Sequence, residues 1–292
     1  MIQGIVPPIP TPLAADELID VEATRRLVEL NIRAGVDAIW VLGTTGRFDF
    51  VTDREQLRFA ELVAELVDGR VPLVLNVSDM GTRRVLDKAA RFDHLPYDAY
   101  AALCPWFQKL NRGDMTDFYT QLADELSRPL FIYNAEWVVN VLDFDHLREL
   151  AAHPRIIGAK DVMADYTRLL EWPRAEREAV GFAYLIGASL VARSAAFEAD
   201  GSVTALSGVF PELCVAIWRA VGLGDHEAAS RHEQQFMQLT RAVGLGHSMA
   251  CLDVMFRHRG LGETICGHPI SRLDDATARR VIDIVEASGV LT

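Results

Sequence analysis

The chain has 292 residues, half of them hydrophobic, and a formal net charge of −12. That length admits one large barrel domain or two ordinary ones, with a substantial core either way. The acidic balance argues against a nucleic-acid partner, which draws on clustered Lys and Arg, and no apolar run approaches the roughly 18 residues needed to cross a bilayer. Met1-Ile2-Gln3-Gly4 lacks the basic and apolar regions of a secretory signal, so a soluble cytoplasmic protein without a membrane partner is expected. Cys104, Cys214, Cys251 and Cys266 are far apart, with no CxxC or HxxxH pair to hold a metal. They read as reduced, mostly buried thiols. Arg25-Arg26 and Arg83-Arg84 fall on predicted helices and read as solvated faces.

Residues 4–10 read as a first strand ending in a proline-rich turn. Asp20 caps a predicted helix through about Ala34, with Gly35 as its stop. Residues 38–42 form a buried second strand that runs into Gly43-Thr44-Thr45-Gly46. Thr52 to Glu55 has capping-box spacing and opens a helix to about Val67. Strands follow at 71–77, 99–104, 129–134 and 156–160, with helices at about 82–92, 114–126 and 144–152 between them. A helix over 166–172 and a charged segment lead to a seventh strand at 182–187. A short helix over 190–199 then precedes an eighth strand at 201–206.

Eight strand–helix units in strict alternation favour closure into a (β/α)8 TIM barrel. No GxGxxG follows the first strand, which ranks a dinucleotide fold well behind. Amphipathic runs continue to the end, near 213–221, 226–243, 248–259 and 275–286. The expected division is a barrel over 1–222 and a C-terminal helical extension over 223–292, packed on the barrel.

The chemistry concentrates at the ends of two apolar runs, Phe131-Ile132-Tyr133-Asn134 and Ile156-Ile157-Gly158-Ala159-Lys160-Asp161. In a barrel, Thr44, Thr45, Tyr133 and Lys160 converge at the C-terminal strand ends, where such folds carry their chemistry. A lysine there loses hydration, which favours the neutral amine and hence a nucleophile able to form a Schiff base. Alternatively it is an exposed strand-end lysine or pairs with Asp161. Tyr133 supplies a proton shuttle, or is a core aromatic whose hydroxyl has found a backbone partner. The Thr44-Thr45 hydroxyls and amides supply donors for a substrate carboxylate, or merely cap the next helix. Gly43 and Gly46 let main-chain amides approach an anion.

Pro10-Thr11-Pro12, Gly43-Thr44-Thr45-Gly46, Tyr133-Asn134 and Gly158-Ala159-Lys160-Asp161, in that order and spacing, resemble the dihydrodipicolinate synthase / N-acetylneuraminate lyase family of class I aldolases. The resemblance spans nearly the whole chain. It implies a (β/α)8 barrel with C-terminal helices, a homo-oligomer (dimer or tetramer), no metal or organic cofactor, and a lysine Schiff base with pyruvate or another 2-oxo acid. On that basis Lys160, Tyr133 and Thr45 are the expected catalytic residues. Thr44, Thr45, Gly43, Gly46, Arg47, Phe107, Val138, Gly187 and Thr204 are the expected substrate contacts.

The chain also departs from the family pattern. Tyr133-Asn134-Ala135-Glu136-Trp137-Val138 lacks the arginine and proline that follow this pair in the synthase branch. Trp106-Phe107 stands where those synthases carry paired tyrosines, and a phenylalanine relays no proton. Arg47 replaces a glutamate, Gly208 an asparagine, and Ala188-Ser189 the acidic residues of sialic-acid lyases. Lysine biosynthesis and sialic-acid cleavage are therefore both poorly supported. Arg47 either binds a substrate carboxylate bidentately or pairs at the surface with Asp49 or Asp53. Trp106, Phe107, Trp137, Phe48 and Phe50 either line the site's mouth, favouring a less polar second substrate, or serve packing. Aldol cleavage or formation is the first expectation. A Schiff-base dehydratase of a 2-keto-3-deoxy sugar acid and a non-catalytic 2-oxo-acid-binding barrel are the alternatives.

Overall fold

A computed structural model describes residues 1–162, 166–187 and 191–291 of the chain. Its strands are β1 Gly4–Ile5, β2 Ile39–Val41, β3 Leu73–Asn76, β4 Ala99–Leu103, β5 Leu130–Ala135, β6 Ile156–Val162, β7 Ala183–Ile186 and β8 Gly201–Ser202. They pair in parallel in the order β1-β8-β7-β6-β5-β4-β3-β2. The two ends of that order also meet: Trp40 N donates to Pro7 O at 2.9 Å and Ile9 N donates to Trp40 O at 3.1 Å. The sheet is thus curled into a (β/α)8 barrel. The prolines explain why β1 is only two residues long where a strand over 4–10 is predicted. Pro7 and Pro8 have no N–H to give, so the β1–β2 seam rests on the Pro7 carbonyl, the Ile9 amide and a single bridge between Pro8 and Trp40.

Local chemistry sets most helix ends. Asp20 accepts from Ala23 N at 2.9 Å to start α1 (Val21–Ala34), and Gly35 closes it in the left-handed region at φ 79°. Thr52 caps α2 (Asp53–Val67) by accepting from Glu55 N. The second half of the predicted capping box does not form, because the buried Glu55 carboxylate accepts from Ile19 N at 3.1 Å instead. Helices α3 (Thr82–Ala90), α4 (Arg112–Glu125) and α5 (Phe144–Leu150) follow the predicted alternation.

Three predicted segments differ. Residues 166–172 form only a 3-10 turn over Thr167–Glu171, and the charged segment after it holds a helix, α6 (Arg174–Ala179). The eighth strand ends at Ser202, and its last predicted residues begin another helix, α8 (Ala205–Val209). A short buried apolar run fits either element by pattern, and the turn back over the barrel decides this one. Between β7 and β8 lies α7 (Val191–Ala196). Leu190, predicted to start it, lies outside the described residues with Ala188 and Ser189. Four helices complete the chain: α9 (Pro211–Gly222), α10 (His226–Val243), α11 (Ser248–His258) and α12 (Asp275–Ala287).

Strand alternation sorts the apolar residues into two cores. Val6, Trp40, Val74, Ala101, Phe131, Tyr133 and Leu185 fill the barrel interior. A larger set, including Ile39, Leu75, Tyr100, Ile132 and Tyr184, packs outward against the helices. Near the N-terminal end of β8, Arg177 and Asp200 are both fully buried. Arg177 Nε donates to Asp200 Oδ2 at 2.9 Å, and its remaining nitrogens bond Trp172 O, Glu198 O and Asp200 Oδ1.

Candidate active site

Strands β5 and β6 pair Tyr133 with Lys160 and Asn134 with Asp161. Alternation then sends the first pair into the barrel and the second toward the helices. Lys160 is 4% exposed, and its Nζ lies 3.9 Å from the Tyr133 ring centroid and 5.4 Å from that of Trp40. Trp40 and Tyr133 meet edge to face at 6.0 Å. The Tyr133 hydroxyl shares a 3.0 Å hydrogen bond with Thr44 Oγ1. An amine, a phenol and an alcohol are therefore strung across β6, β5 and the loop after β2.

The outward pair fixes the register that creates this cluster. Asn134 Nδ2 donates to Asp161 Oδ1 at 3.0 Å and to Leu142 O at 2.8 Å, while Tyr184 OH donates to Asp161 Oδ2. Tyr119 OH donates to Cys104 Sγ at 3.2 Å beside Asn134. All four cysteines are buried and unbridged, as the sequence suggests. Lys160 and Asp161 lie on opposite faces of the strand, so the direct ion pair weighed above does not form.

The loop after β2 is held from outside. Thr11 Oγ1, fully buried, donates to Gly46 O at 2.6 Å, giving the Pro10-Thr11-Pro12 motif a physical task. Gln56 Nε2 donates to Phe48 O and Val51 O at 2.8 and 2.7 Å. Gly43 lies against the Trp40 indole, whose Nε1 is buried without a partner among the described residues. Thr45 is 7% exposed within the same loop.

Two cavities open above the cluster. The larger, of about 780 Å³, is lined by Thr44, Arg47, Phe50, Trp137, His247 and Ser248. The smaller, of about 170 Å³, is lined by Trp137, Val162, Gly187, Thr204, Ser248 and Met249. They share Trp137, Ser248 and Met249. Gly187 has to be glycine here: a Cβ would stand 2.4 Å from Val162 Cγ2 and 3.4 Å from Lys160 Cε. Thr44 and Arg47 thus border the larger cavity, and Gly187 and Thr204 the smaller, with Gly187 next to the Lys160 side chain. Val138 instead packs half-buried against the two cores, and Phe107 stands 73% exposed on the loop after β4, away from both cavities. Among the mouth aromatics, Phe48 and Trp106 pack edge to face at 5.8 Å, and Trp137 meets Tyr133 at 6.4 Å.

Sequence reasoning missed Ser248 and Met249, because α11 follows the barrel by a long stretch of chain and no local signal aims its first turn at the site. It also missed Lys88, a second buried amine. Burial holds Lys88 below the usual lysine range, and its Nζ donates to Ser78 O at 3.4 Å, outside the two cavities. Trp40 was legible only as a strand residue.

Arg47 is 2% exposed, and its Nε, Nη1 and Nη2 have no hydrogen-bond partner among the described residues. Its Cζ sits 4.0 Å from the Phe50 ring centroid. Burial pulls the guanidinium below its ordinary pKa, against the opposing pull of Cys266, Asp49 and Glu17. Its backbone is left-handed at φ 60°, a conformation that costs a non-glycine residue about 1–2 kcal/mol. The surface pairing weighed above is not found: Asp53 bonds Arg91 at 2.6 Å, and no ion pair joins Arg47 to Asp49.

Residues 1–288 match the Dihydrodipicolinate synthetase family. The chain belongs to that family. As a dihydrodipicolinate synthetase family member it is a lyase of the aldolase type. Its relatives carry different names. A 4-hydroxy-tetrahydrodipicolinate synthase of Jannaschia sp. (strain CCS1) is 27% identical over 297 residues, covering 100% of both chains. A probable 2-dehydro-3-deoxy-D-pentonate aldolase of Escherichia coli (strain K12) is 26% identical over 300 residues, covering 99% of this chain and 98% of its own. Among solved structures, the E. coli K12 prophage protein YagE in complex with pyruvate superposes with a TM-score of 0.92 at 23% identity, covering 99% of each chain.

Proposed function

We propose that this protein is a class I aldolase that acts on 2-oxo acids through a Schiff base on Lys160. The amine of Lys160 adds to the C2 carbonyl of pyruvate or a longer 2-oxo acid, and the carbinolamine loses water to leave an imine. In the cleavage direction the hydroxyl at C4 gives up its proton, the C3–C4 bond breaks, and an aldehyde leaves. The bonding electrons pass into the imine as an enamine. Protonation at C3 and addition of water then release pyruvate and the free lysine. Tyr133 moves the protons, with Thr44 as the next link, and Thr45 with the loop amides after β2 holds the carboxylate beside the reacting carbonyl.

One observation carries this reading: a buried Lys160 amine 3.9 Å from the ring of a tyrosine that is hydrogen-bonded to Thr44, which itself lines a cavity of about 780 Å³. Gly187 and Thr204 border the substrate's path in the same reading. Self-association into a dimer or tetramer belongs to it as well, supported by Met80 and Phe107, two exposed apolar side chains on loops at the barrel's C-terminal face.

Incubation with pyruvate and borohydride, followed by peptide mass spectrometry, tests the chemistry. The expected product is a reduced pyruvate adduct on Lys160, absent from Lys160→Ala. An adduct confined to Lys88, or none with any 2-oxo acid, overturns the reading.

A further inference from the structure

Arg47 and Arg177 are both almost fully buried, and they differ in one respect. Arg177 is saturated by Asp200 and two backbone carbonyls, whereas Arg47 has no partner for any guanidinium nitrogen among the described residues. A buried, unpaired cation held in a left-handed backbone conformation carries two unfavourable features at one position. Such a residue persists where a ligand completes it.

We infer that the second substrate of this aldolase is an aldehyde that bears its own carboxylate, received by the Arg47 guanidinium in the larger cavity. The inference rests on the Schiff-base reading above and names the substrate class for that same site.

Arg47 borders two spaces, and charge separates them. The one of about 210 Å³ is also lined by Asp16, Glu17 and Glu55, which repel an anion. The larger one offers Thr44, Ser248 and His247, and it has a single acid, Asp49, whose carboxyl pKa is raised by desolvation against the opposing pull of Arg47. One planar cation matches one carboxylate, which accepts two parallel N–H bonds. Phe50 and Trp137 give the cavity two aromatic walls, which favour a short acyl chain over a row of hydroxyls on that side. Phe50 covers the guanidinium and is 42% exposed, so rotation of that ring uncovers Arg47 without moving the core. Phe50 lies over Arg47, and neither of the two spaces that Arg47 borders is lined by Lys160 or Tyr133. The carboxylate it holds therefore belongs to the part of the substrate beyond the attacked carbonyl.

The test uses aldol addition of pyruvate to succinic semialdehyde and to butanal, which has the same chain length without the acid. In each, the enamine carbon forms a bond to the aldehyde carbon, the resulting alkoxide takes a proton, and water releases the product from Lys160. Wild type is expected to favour the acidic aldehyde in kcat/KM by about 10–100-fold. Arg47→Met is expected to bring that ratio to about one, and Arg47→Lys to keep an intermediate preference.

Arg47→Met removes no side-chain hydrogen bond among the described residues and relieves a desolvated charge, so its melting temperature should equal or exceed that of wild type. A clear fall in melting temperature means that Arg47 is a structural partner and overturns the proposal. So does an unchanged ratio with a raised KM for pyruvate, which would put Arg47 on the 2-oxo acid's own carboxylate. A wild type that traps pyruvate on Lys160 but does not discriminate between the aldehydes overturns the Arg47 assignment alone. Absence of trapping overturns the Schiff-base reading with it.

Discussion

At the scale of single residues, Tyr133 carries two separable contacts. Its ring packs on Lys160 and Trp40, while its hydroxyl reaches Thr44. Tyr133→Phe keeps the first and deletes the second. The expected outcome is a kcat lower by about 10²–10⁴, the range for a lost proton-transfer group, with the melting temperature little changed. Steady-state kinetics beside a thermal melt checks this, and a variant with full kcat removes Tyr133 from the proton path. Thr44→Val should fall in the same direction by less. Lys160, Tyr133 and Thr44 were legible in the sequence because reactive side chains at the ends of apolar runs are conspicuous. The state of Arg47 was not, since Phe50 covers it and the spaces it borders are closed by Gly267, His268 and Pro269 from the far end of the chain.

At the scale of elements, the barrel is pinned by polar bonds on its outer side, which leave the inner side free for chemistry. Asn134, Asp161 and Tyr184 hold β5, β6 and β7 in the register that sets Tyr133 beside Lys160. Arg177 and Asp200 do similar work at β8, where Asp200 Oδ2 also accepts from Tyr184 N at 2.8 Å. Arg177→Met leaves the buried Asp200 carboxylate with only the partly exposed Arg174, at 3.4 Å, and the Tyr184 amide. The loss expected in urea unfolding is about 3–5 kcal/mol. An unchanged midpoint would mean that Asp200 finds another partner. Helix ends at Asp20, Gly35 and Thr52 could be read from sequence because caps act within one turn. The strand over 4–10 and the end of β8 could not. Proline seams and short apolar runs are resolved only by the neighbours they meet.

At the scale of the molecule, the four thiols give stability a pH dependence. Burial pushes Cys104 and Cys266 each up to about 12, and raises Cys214 and Cys251 as well. Unfolded thiols titrate near about 8.5, so above that pH the unfolded chain releases protons that the native chain keeps. Stability therefore falls as pH rises, by up to about 1.4 kcal/mol per pH unit for each thiol in this window. Urea midpoints measured from pH 8 to 10.5 should decline, and native thiols should resist iodoacetamide at pH 8. A flat profile with rapid alkylation would contradict the burial. The cavity is also a property of the whole molecule. Among the described residues its walls come from the loops after β2 and β5, from the start of α11 and from residues 269–271 before α12, far apart in sequence and adjacent only once the barrel closes.

The sequence alone determined the strand–helix alternation, the barrel it implies and the amine–phenol–hydroxyl set at the strand ends, because each depends on local periodicity or on residue type at a strand terminus. Tertiary structure alone decided which face each reactive side chain takes, that Phe107 and Val138 stand back from the cavity, and that Arg47 is buried without a partner. Those outcomes depend on register, closure and desolvation, which arise only when distant segments of the chain pack together.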